Sequence, residues 1–490
     1  MAVAQHYHQR TKYDPRTIIS QSRPLDWQNQ PRPYKEYKIG PALDLKSFAP
    51  NSRGDRLARL LLYSYGITAQ IKGPGSTPIY LRSAPSAGGL YPAELYVISR
   101  GSTDLKAGIY NYQVISHALQ QVWAADVWAQ LQAASFGQPI WRETDLALVV
   151  SAVFYRSAWR YSDRAYRRIC LDTGHLLGNL ALVGEWLGLI PHFLAGFADR
   201  PVNDVLYFDP DQEGCLVLIP LSDRQQSQPS SYLSALPSPT TITYPELPDG
   251  QLLNQLHQSS GISPGAMPTV PTSLRVDKYS FPFCTKVSTV TTPISWGQDL
   301  EYLAKSLIQR RSTREYTGSA IAFNQLQAMI DFAYHPENYL DQGLAPLPDY
   351  FDLSLIQTFI AVSGVEGLES GCYYYAPQAQ ELRQTRFKNF RTELHYLCLG
   401  QNLGRDAAAV VFHTADLDQA VEKWGDRAYR YLHLDAGQIG QRINLAATRL
   451  GLGASGIGGF FDDQVNEVLG IPAQEAVIYI TTIGQPSNIA

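Results

Sequence analysis

Five consecutive residues, Arg310-Arg311-Ser312-Thr313-Arg314, gather guanidiniums and hydroxyls at the end of an amphipathic stretch. Charge-assisted hydrogen bonds, each worth about 1.5–3 kcal/mol, would make Arg310, Arg311, Ser312 and Arg314 a clamp for a phosphate. The same residue types also make an ordinary solvated basic helix end. Arg10-Thr11-Lys12 repeats this chemistry near the N-terminus. Pro85-Ser86-Ala87-Gly88-Gly89 is a turn with a hydroxyl and free amides, which either offers donors to a ligand or is simply a turn. Gly451-Leu452-Gly453-Ala454-Ser455-Gly456 matches the G-x-G-x-x-G dinucleotide fingerprint, whose physics needs a strand before it and a helix opening within it. Here Leu434, Ile439, Ile443, Ala446, Ala447 and Leu450 precede it at helical spacing, which disfavours a dinucleotide site. The glycines then either cap a helix or, from Ser455 through Gly456, Ile457, Gly458 and Gly459, let bare backbone lie against a flat ligand.

The elements that must position these groups occur twice. Asp426 to Leu469 and residues 163–206 align without a gap at an offset of 263 residues, which sets Asp435 on Asp172, Gly459 on Gly196, Asp462 on Asp199 and Asn466 on Asn203. Helical periodicity predicts helices over Arg56–Tyr65, Tyr166–Leu187 and Phe323–Tyr334. Strands are predicted over Glu94–Ser99, Ile109–Tyr112, Ala147–Phe154, Thr358–Val362 and Val477–Ile483, with another at Gly371 to Pro377. Residues 1–50 read as an extended, Pro-punctuated arm. Residues 222–296 read as a Pro/Ser/Thr-rich linker in which Leu252 to Leu256 suits a turn of helix. The expected organisation is a first copy over 1–221, the linker, and a second copy over 297–490. Each is an α+β unit, and the two form a dimer within one chain.

The bulk numbers agree with a folded protein that handles small molecules. The chain has 490 residues, a net charge of −4 and a pI near 6.2, which gives no overall attraction to nucleic acid or an anionic membrane. Its five cysteines are scattered and never spaced C-x-x-C, which argues against a disulfide scaffold or a zinc site. No apolar run reaches membrane-spanning length, so a cytoplasmic protein without a membrane or nucleic-acid partner is expected.

RSAPSAGGLYPAELYV (Arg82 to Val97), HQRTKY (His8 to Tyr13), RRSTREY (Arg310 to Tyr316) and the two DRAYR helices together resemble the nitroreductase-like, FMN-binding superfamily. Within it they are similar to the thiazole/oxazole oxidase (SagB-type) dehydrogenases. The resemblance covers nearly all of the chain outside the linker. It implies two nitroreductase-like domains, each a mainly antiparallel sheet flanked by helices, and an FMN that exchanges hydride through N5 with a small-molecule substrate or a donor such as NAD(P)H. It also implies that Arg310, Ser312 and Arg314, with Arg311 beside them, face the phosphate and ribityl chain. The backbone from Ser455 to Gly459 would face the N5 edge, and Pro85, Ser86, Ala87 and Gly88 would reach in from the other copy. Related peptide-azoline oxidases carry a Lys-Tyr pair just before the DRAYR-type helix. Here those positions are Arg160-Tyr161 and Lys423-Trp424, which leaves Tyr161 and Lys423 as proton-transfer candidates and argues against azoline oxidation.

The copies depart from the family pattern in opposite places. At the same offset Ser86, Ala87, Gly88 and Gly89 become Asp349, Tyr350, Phe351 and Asp352, while Ser455, Gly456, Ile457 and Gly458 correspond to His192, Phe193, Leu194 and Ala195. A site that needs the clamp and glycines of one copy and the turn of the other can form in one arrangement only, which predicts one FMN per chain. The alternative is a flavin-binding or scaffold protein without turnover.

Overall fold

The computed structural model of the chain describes residues 1–21, 24–73, 78–102, 104–224, 231–345 and 350–487. Two seven-stranded sheets dominate it. The first contains β1 (Ala42–Asp44), β2 (Ala93–Ser99), β3 (Gly108–Gln113), β4 (Ala118–Trp123), β5 (Leu146–Val153), β6 (Leu189–Pro191) and β7 (Glu213–Asp223), in spatial order β1-β4-β3-β2-β5-β7-β6. The second contains β8 (Lys286–Ser288), β9 (Gln357–Val362), β10 (Gly371–Ala376), β11 (Glu381–Arg386), β12 (Ala409–Asp416), β13 (Gly453–Ile457) and β14 (Glu475–Gly484), in the matching order β8-β11-β10-β9-β12-β14-β13. Every neighbouring pair in both sheets is antiparallel. The 263-residue offset holds inside the ladders, since Ser99 faces Leu146 and Val362 faces Ala409.

Side-chain alternation explains where these strands sit. Leu95 and Val97 of β2 and Leu148 and Val150 of β5 point into a core shared by both copies, whereas Tyr96, Ile98, Ala147 and Val149 point outward under a short helix, Trp128–Ala134. The second sheet repeats this with Ile360 and Val411 inside and Phe359, Val410 and Phe412 outside. Both faces of each sheet are therefore covered, and the interface between copies is itself hydrophobic core.

The helices that matter for the site are α1 (Val3–Arg10), α2 (Arg53–Tyr65), α3 (Phe154–Tyr161), α4 (Ala165–Leu187), α5 (Leu252–Ser259), α6 (Glu301–Gln309), α7 (Phe323–Tyr334), α8 (Leu417–Trp424) and α9 (Ala428–Arg449). Helices α4 and α9 cross at Gly174 and Gly437. A Cβ on Gly174 would lie 2.2 Å from the carbonyl oxygen of Leu434, and one on Gly437 would lie 2.3 Å from that of Leu171. Only glycine permits this backbone contact, and its reciprocity marks a local two-fold axis. Helical periodicity over Tyr166–Leu187 suggests a helix with one buried stripe, yet α4 and α9 are both buried almost all round, because a helix between a sheet and its own counterpart has no solvent face. Around the axis Asp462 accepts from Arg164 (2.8 Å) and Arg167 (2.7 Å), and Asp199 accepts from Arg427 (2.6 Å) and Arg430 (3.1 Å).

Two stretches differ from the sequence reading. The arm over residues 1–50 opens with α1, and the expected linker extends the turn of helix expected at Leu252 to Leu256 into α5 and contributes β8 to the second sheet. Helices α1 and α5 are counterparts: His8 Nδ1 meets Tyr429 Oη at 3.1 Å, and His257 Nδ1 meets Tyr166 Oη at 3.1 Å. Each spans about two turns, too short for helical periodicity to stand out from Pro, Gln and Ser neighbours. All five cysteines are unbridged. Among the described residues no helix is long and apolar enough to cross a membrane.

Candidate functional site

A cleft of about 1010 Å³ opens between the copies beside β13 and α4. It brings Pro85, Ser86, Ala87, Gly88 and Tyr161 of the first copy together with Ser312, Arg314, Ser455, Gly456, Ile457, Gly458 and Gly459 of the second. Arg310, Arg311 and Lys423 do not line it.

The second-copy wall is an added edge of sheet. After α6 the chain runs extended, Ser312 pairs in parallel with Ala454, and the Thr313 amide donates to the Ala454 carbonyl at 3.0 Å. Gly453 lets the chain pass, because a Cβ there would stand 2.3 Å from Thr313 Oγ1. A Cβ on Gly456 would fall 1.9 Å from Tyr479 Oη, so the run of glycines is required by packing as well as by any ligand. Gly453–Ile457 is strand rather than the loop the glycines suggested, and only Gly458 and Gly459 continue as loop. The Gly458 carbonyl accepts from Arg168 Nη2 (2.9 Å) and Arg164 Nε (3.4 Å). The amides of Gly458 and Gly459 donate to no described residue.

Arg310 lies behind this wall. Its Nε donates to the Ser83 carbonyl (2.8 Å) and its Nη2 to the Arg82 carbonyl (3.1 Å), so it ties the clamp to the strand end that leads into the first-copy turn. Burial pulls its pKa down to about 10. Arg311 turns away, donating to Thr68 Oγ1 and the Thr68 carbonyl at 3.0 Å each. Lys423 stands in the other half of the molecule, paired with Asp352 at 2.7 Å and donating to Ser273 Oγ.

The first-copy wall is held by Asp172 of α4. Its carboxylate accepts from Ser86 Oγ (2.5 Å) and the Ala87 amide (3.1 Å), which fixes a turn whose Gly88 has φ +65°. Tyr161 Oη would sit 2.8 Å from a Cβ on Gly88, so ring and turn fit together only with glycine. Burial pushes the Tyr161 phenol up from its ordinary value. The guanidinium of Arg168 lies 3.9 Å over the Tyr161 ring. At the cleft floor Tyr479 Oη and His175 Nε2 are 2.8 Å apart, and a chain continues from His175 Nδ1 to Gln441 Oε1 (2.8 Å) and from Gln441 Nε2 to Asn179 Oδ1 (2.6 Å). Burial lowers His175 to about 3 and raises Tyr479, so both are neutral at pH 7. Tyr13, Arg160, Arg164, Arg168, His175 and Tyr479 line the cleft although the sequence reading named none of them as site residues. Under the repeat offset Arg168 corresponds to Tyr431 and His175 to Gln438, but most other positions of this helix differ between the copies as well, so these differences do not stand out in the sequence.

The pseudo-symmetric location in the other half is closed. Ala195 and Gly196, the counterparts of Gly458 and Gly459, both donate to the Ser234 carbonyl (2.8 and 3.2 Å). Leu236 fills the space beside Gly196, where a Cβ would come within 2.5 Å of its amide nitrogen, and the Leu236 carbonyl accepts from Tyr431 Oη at 2.7 Å. The Ser238 amide donates to the Trp424 carbonyl (3.1 Å). Phe193 is buried, and Phe351 stacks on Tyr431. Asp349 lies outside the described residues. Among the described residues the clamp has no counterpart in this half. Asn179 and Arg442 occupy equivalent positions and donate to carbonyls on α2 and α7, which identifies those helices with one another. The first copy passes from β1 to α2 through residues 45–52, whereas the second passes from β8 to α7 through residues 289–322, and α6 with its arginines lies in that longer connection. Arg10-Thr11-Lys12 instead corresponds to the end of α5, and it lines the same cleft as the clamp.

The nitroreductase family model matches this chain twice, over residues 64–221 and 307–485. A putative nitroreductase of Methanocaldococcus jannaschii is 30% identical over 34% of this chain and 82% of its own length. The microcin B17-processing protein McbC of Escherichia coli is 30% identical over 28% of this chain and 51% of its own. A crystal structure of a putative nitroreductase from Anabaena variabilis is 58% identical and superposes over 99% of this chain and 100% of its own with a TM-score of 0.94.

Proposed function

Because this chain belongs to the nitroreductase family, and with it to the flavin-type oxidoreductases, we propose that it carries one FMN in the cleft between its copies and exchanges hydride there with small molecules, NAD(P)H among the donors. Bound in that cleft, FMN would supply the two-electron step at N5, accepting hydride from a donor and passing it to an acceptor that follows onto the same face. Ser312 and Arg314 offer a hydroxyl and a guanidinium to its phosphate, and Arg310 holds their segment against the first copy. The Gly458 and Gly459 amides offer donors along the edge of a flat ring. Tyr161 keeps its proton at neutral pH and is the proton-transfer group of the site, while Lys423 is engaged elsewhere.

The observation that carries this reading is the contrast between the loop amides of the two halves. Ala195 and Gly196 donate to the chain's own Ser234 carbonyl, so that half has an internal acceptor where a ligand would sit. Gly458 and Gly459 have none, and glycine backbone, hydroxyl, guanidinium and the Ser86 turn converge around them. Flavin released by denaturation and quantified against protein should give one FMN per chain. Two per chain would overturn the asymmetry, and none after reconstitution with excess FMN would overturn the flavin reading altogether.

A further inference from the structure

Two guanidiniums in this cleft pair with no carboxylate among the described residues. Arg160, at the end of α3, is exposed between the rings of Trp27 and Tyr161, 6.0 and 5.7 Å from their centroids. Arg168 lies over the Tyr161 ring and donates to the carbonyls of Gly458 and Arg164. The other cations of this wall are neutralised locally, Arg10 by Asp249, Lys12 by Asp463 and Arg164 by Asp462. Arg314 is committed to the phosphate under the reading above. Asp172, which also lines the cleft, interacts electrostatically with Arg168, so the cation left without a carboxylate nearby is Arg160, with Arg168 only partly balanced, in a chain of net charge −4.

The closed half shows how the fold balances a cation at this place. Under the 263-residue offset Arg160 corresponds to Lys423, whose ammonium pairs with Asp352 at 2.7 Å. Asp352 corresponds to Gly89, and a Cβ on Gly89 meets nothing within 4 Å. The open half has kept the cation, lost the carboxylate and left space where the carboxylate would be. The rings of Trp27 and Tyr161, at the outer range of cation–π contact, flank the guanidinium while its N–H groups stay exposed and available for bidentate recognition of an oxyanion.

We propose that Arg160, with Arg168 beside it, forms an oxyanion subsite, so that the molecule exchanging hydride in this cleft carries a carboxylate or phosphate where Asp352 stands in the closed half. The role in turnover rests on the flavin reading, whereas the anion subsite is a property of the protein walls. Benzoate, phenyl phosphate and benzamide, three phenyl probes that differ in the charge and shape of one group, are titrated calorimetrically into the full chain as purified. At least one anion should bind ten-fold or more tighter than benzamide. Arg160→Gln should reduce that preference below three-fold, and Arg160→Lys should recover part of it with an unchanged circular dichroism spectrum. Tighter benzoate assigns a carboxylate substrate, and tighter phenyl phosphate assigns a phosphorylated one. Equal binding of all three probes, or a preference that survives Arg160→Gln, would overturn the subsite. Missing FMN in the same preparation would count against the flavin reading alone, because the comparison of probes does not depend on it.

Discussion

Asp172 and Asp435 sit at the same place on the two central helices and each steadies the connection that enters its sheet. Asp172 accepts from Ser86 and Ala87, and Asp435 accepts from the amides of Phe351 (2.9 Å) and Asp352 (2.8 Å). Burial pushes Asp172 up to about 7 and Asp435 up to about 8, against the pull of those hydrogen bonds. In the unfolded chain both would titrate near 4. The folded state therefore holds protons that the unfolded state has lost, and the stabilisation this provides is fully present below about pH 4 and lost as pH rises toward 7–8. Asp435→Asn cannot ionise and keeps an acceptor oxygen for one of the two amides, which donate to different carboxylate oxygens, so it is less stable overall but its pH dependence is the readout. Its melting temperature should fall less than that of the natural protein between pH 5 and 8, and an identical slope would show that Asp435 is ionised throughout. At this scale the sequence was legible where a residue type is forced: Ser86 and Gly88 in the turn, and Gly456 and Gly458 in the glycine run. Arg168, His175 and Tyr479 were not, because an arginine, a histidine and a tyrosine on buried helix or strand positions look like satisfied core residues until the cleft beside them is seen.

At the level of elements, α4 and α9 are held across the axis by two buried carboxylates, each bridging two guanidiniums of the opposite copy. Removing one leaves two buried cations uncompensated, which costs about 3–5 kcal/mol when a buried ion pair is broken from one side. Asp199→Ala and Asp462→Ala should lower the denaturation midpoint by similar amounts. They should differ in ligand binding, since Asp462 also holds Arg164 and accepts from the Tyr13 amide (2.9 Å), and both Arg164 and Tyr13 line the cleft. Flavin retained by the Asp199 variant and lost from the Asp462 variant is the expected pattern, and loss from both would place the site in the wrong half. The major strands and the helices α2, α4 and α7 were readable because hydrophobic periodicity over six or more residues marks them. Helix α1 escaped, and α5 was read only as a turn at Leu252 to Leu256, because their stability comes from docking beside the axis, where Asp426 receives the Ala4 amide and Asp163 the Leu253 amide.

The whole molecule is a dimer whose two halves have been specialised by different means. Duplication was plain in the sequence, and so was the loss of the turn in one copy and of the glycines in the other. The bulky Phe193, Tyr350 and Phe351 were legible as occupants of the closed half, but the segment over residues 234–238 was not, because it comes from a Pro- and Ser-rich stretch with no periodicity, and only the fold brings it against α9. Ser234, Leu236 and Ser238 there supply the acceptor, the apolar filler and the backbone contacts that a ligand would otherwise provide. If this segment were the only obstacle, replacing Tyr232–Pro239 with Gly and Ser residues would expose a second flavin site. The rest of that half argues otherwise: it has no clamp, His192 and Phe193 stand where Ser455 and Gly456 stand in the open half, and Asp352 with Lys423 closes the far end. The replacement should therefore leave the FMN content at one per chain while destabilising the protein, with loss of the buried Leu236 side chain alone expected to cost about 2–5 kcal/mol. Flavin content and denaturation midpoint measured on one preparation decide the matter. A rise to two FMN per chain would mean that the segment gates a site that is otherwise intact. An unchanged ratio with a lowered midpoint would mean that the asymmetry is written into both copies and that the segment serves only to fill a place where a ligand no longer fits.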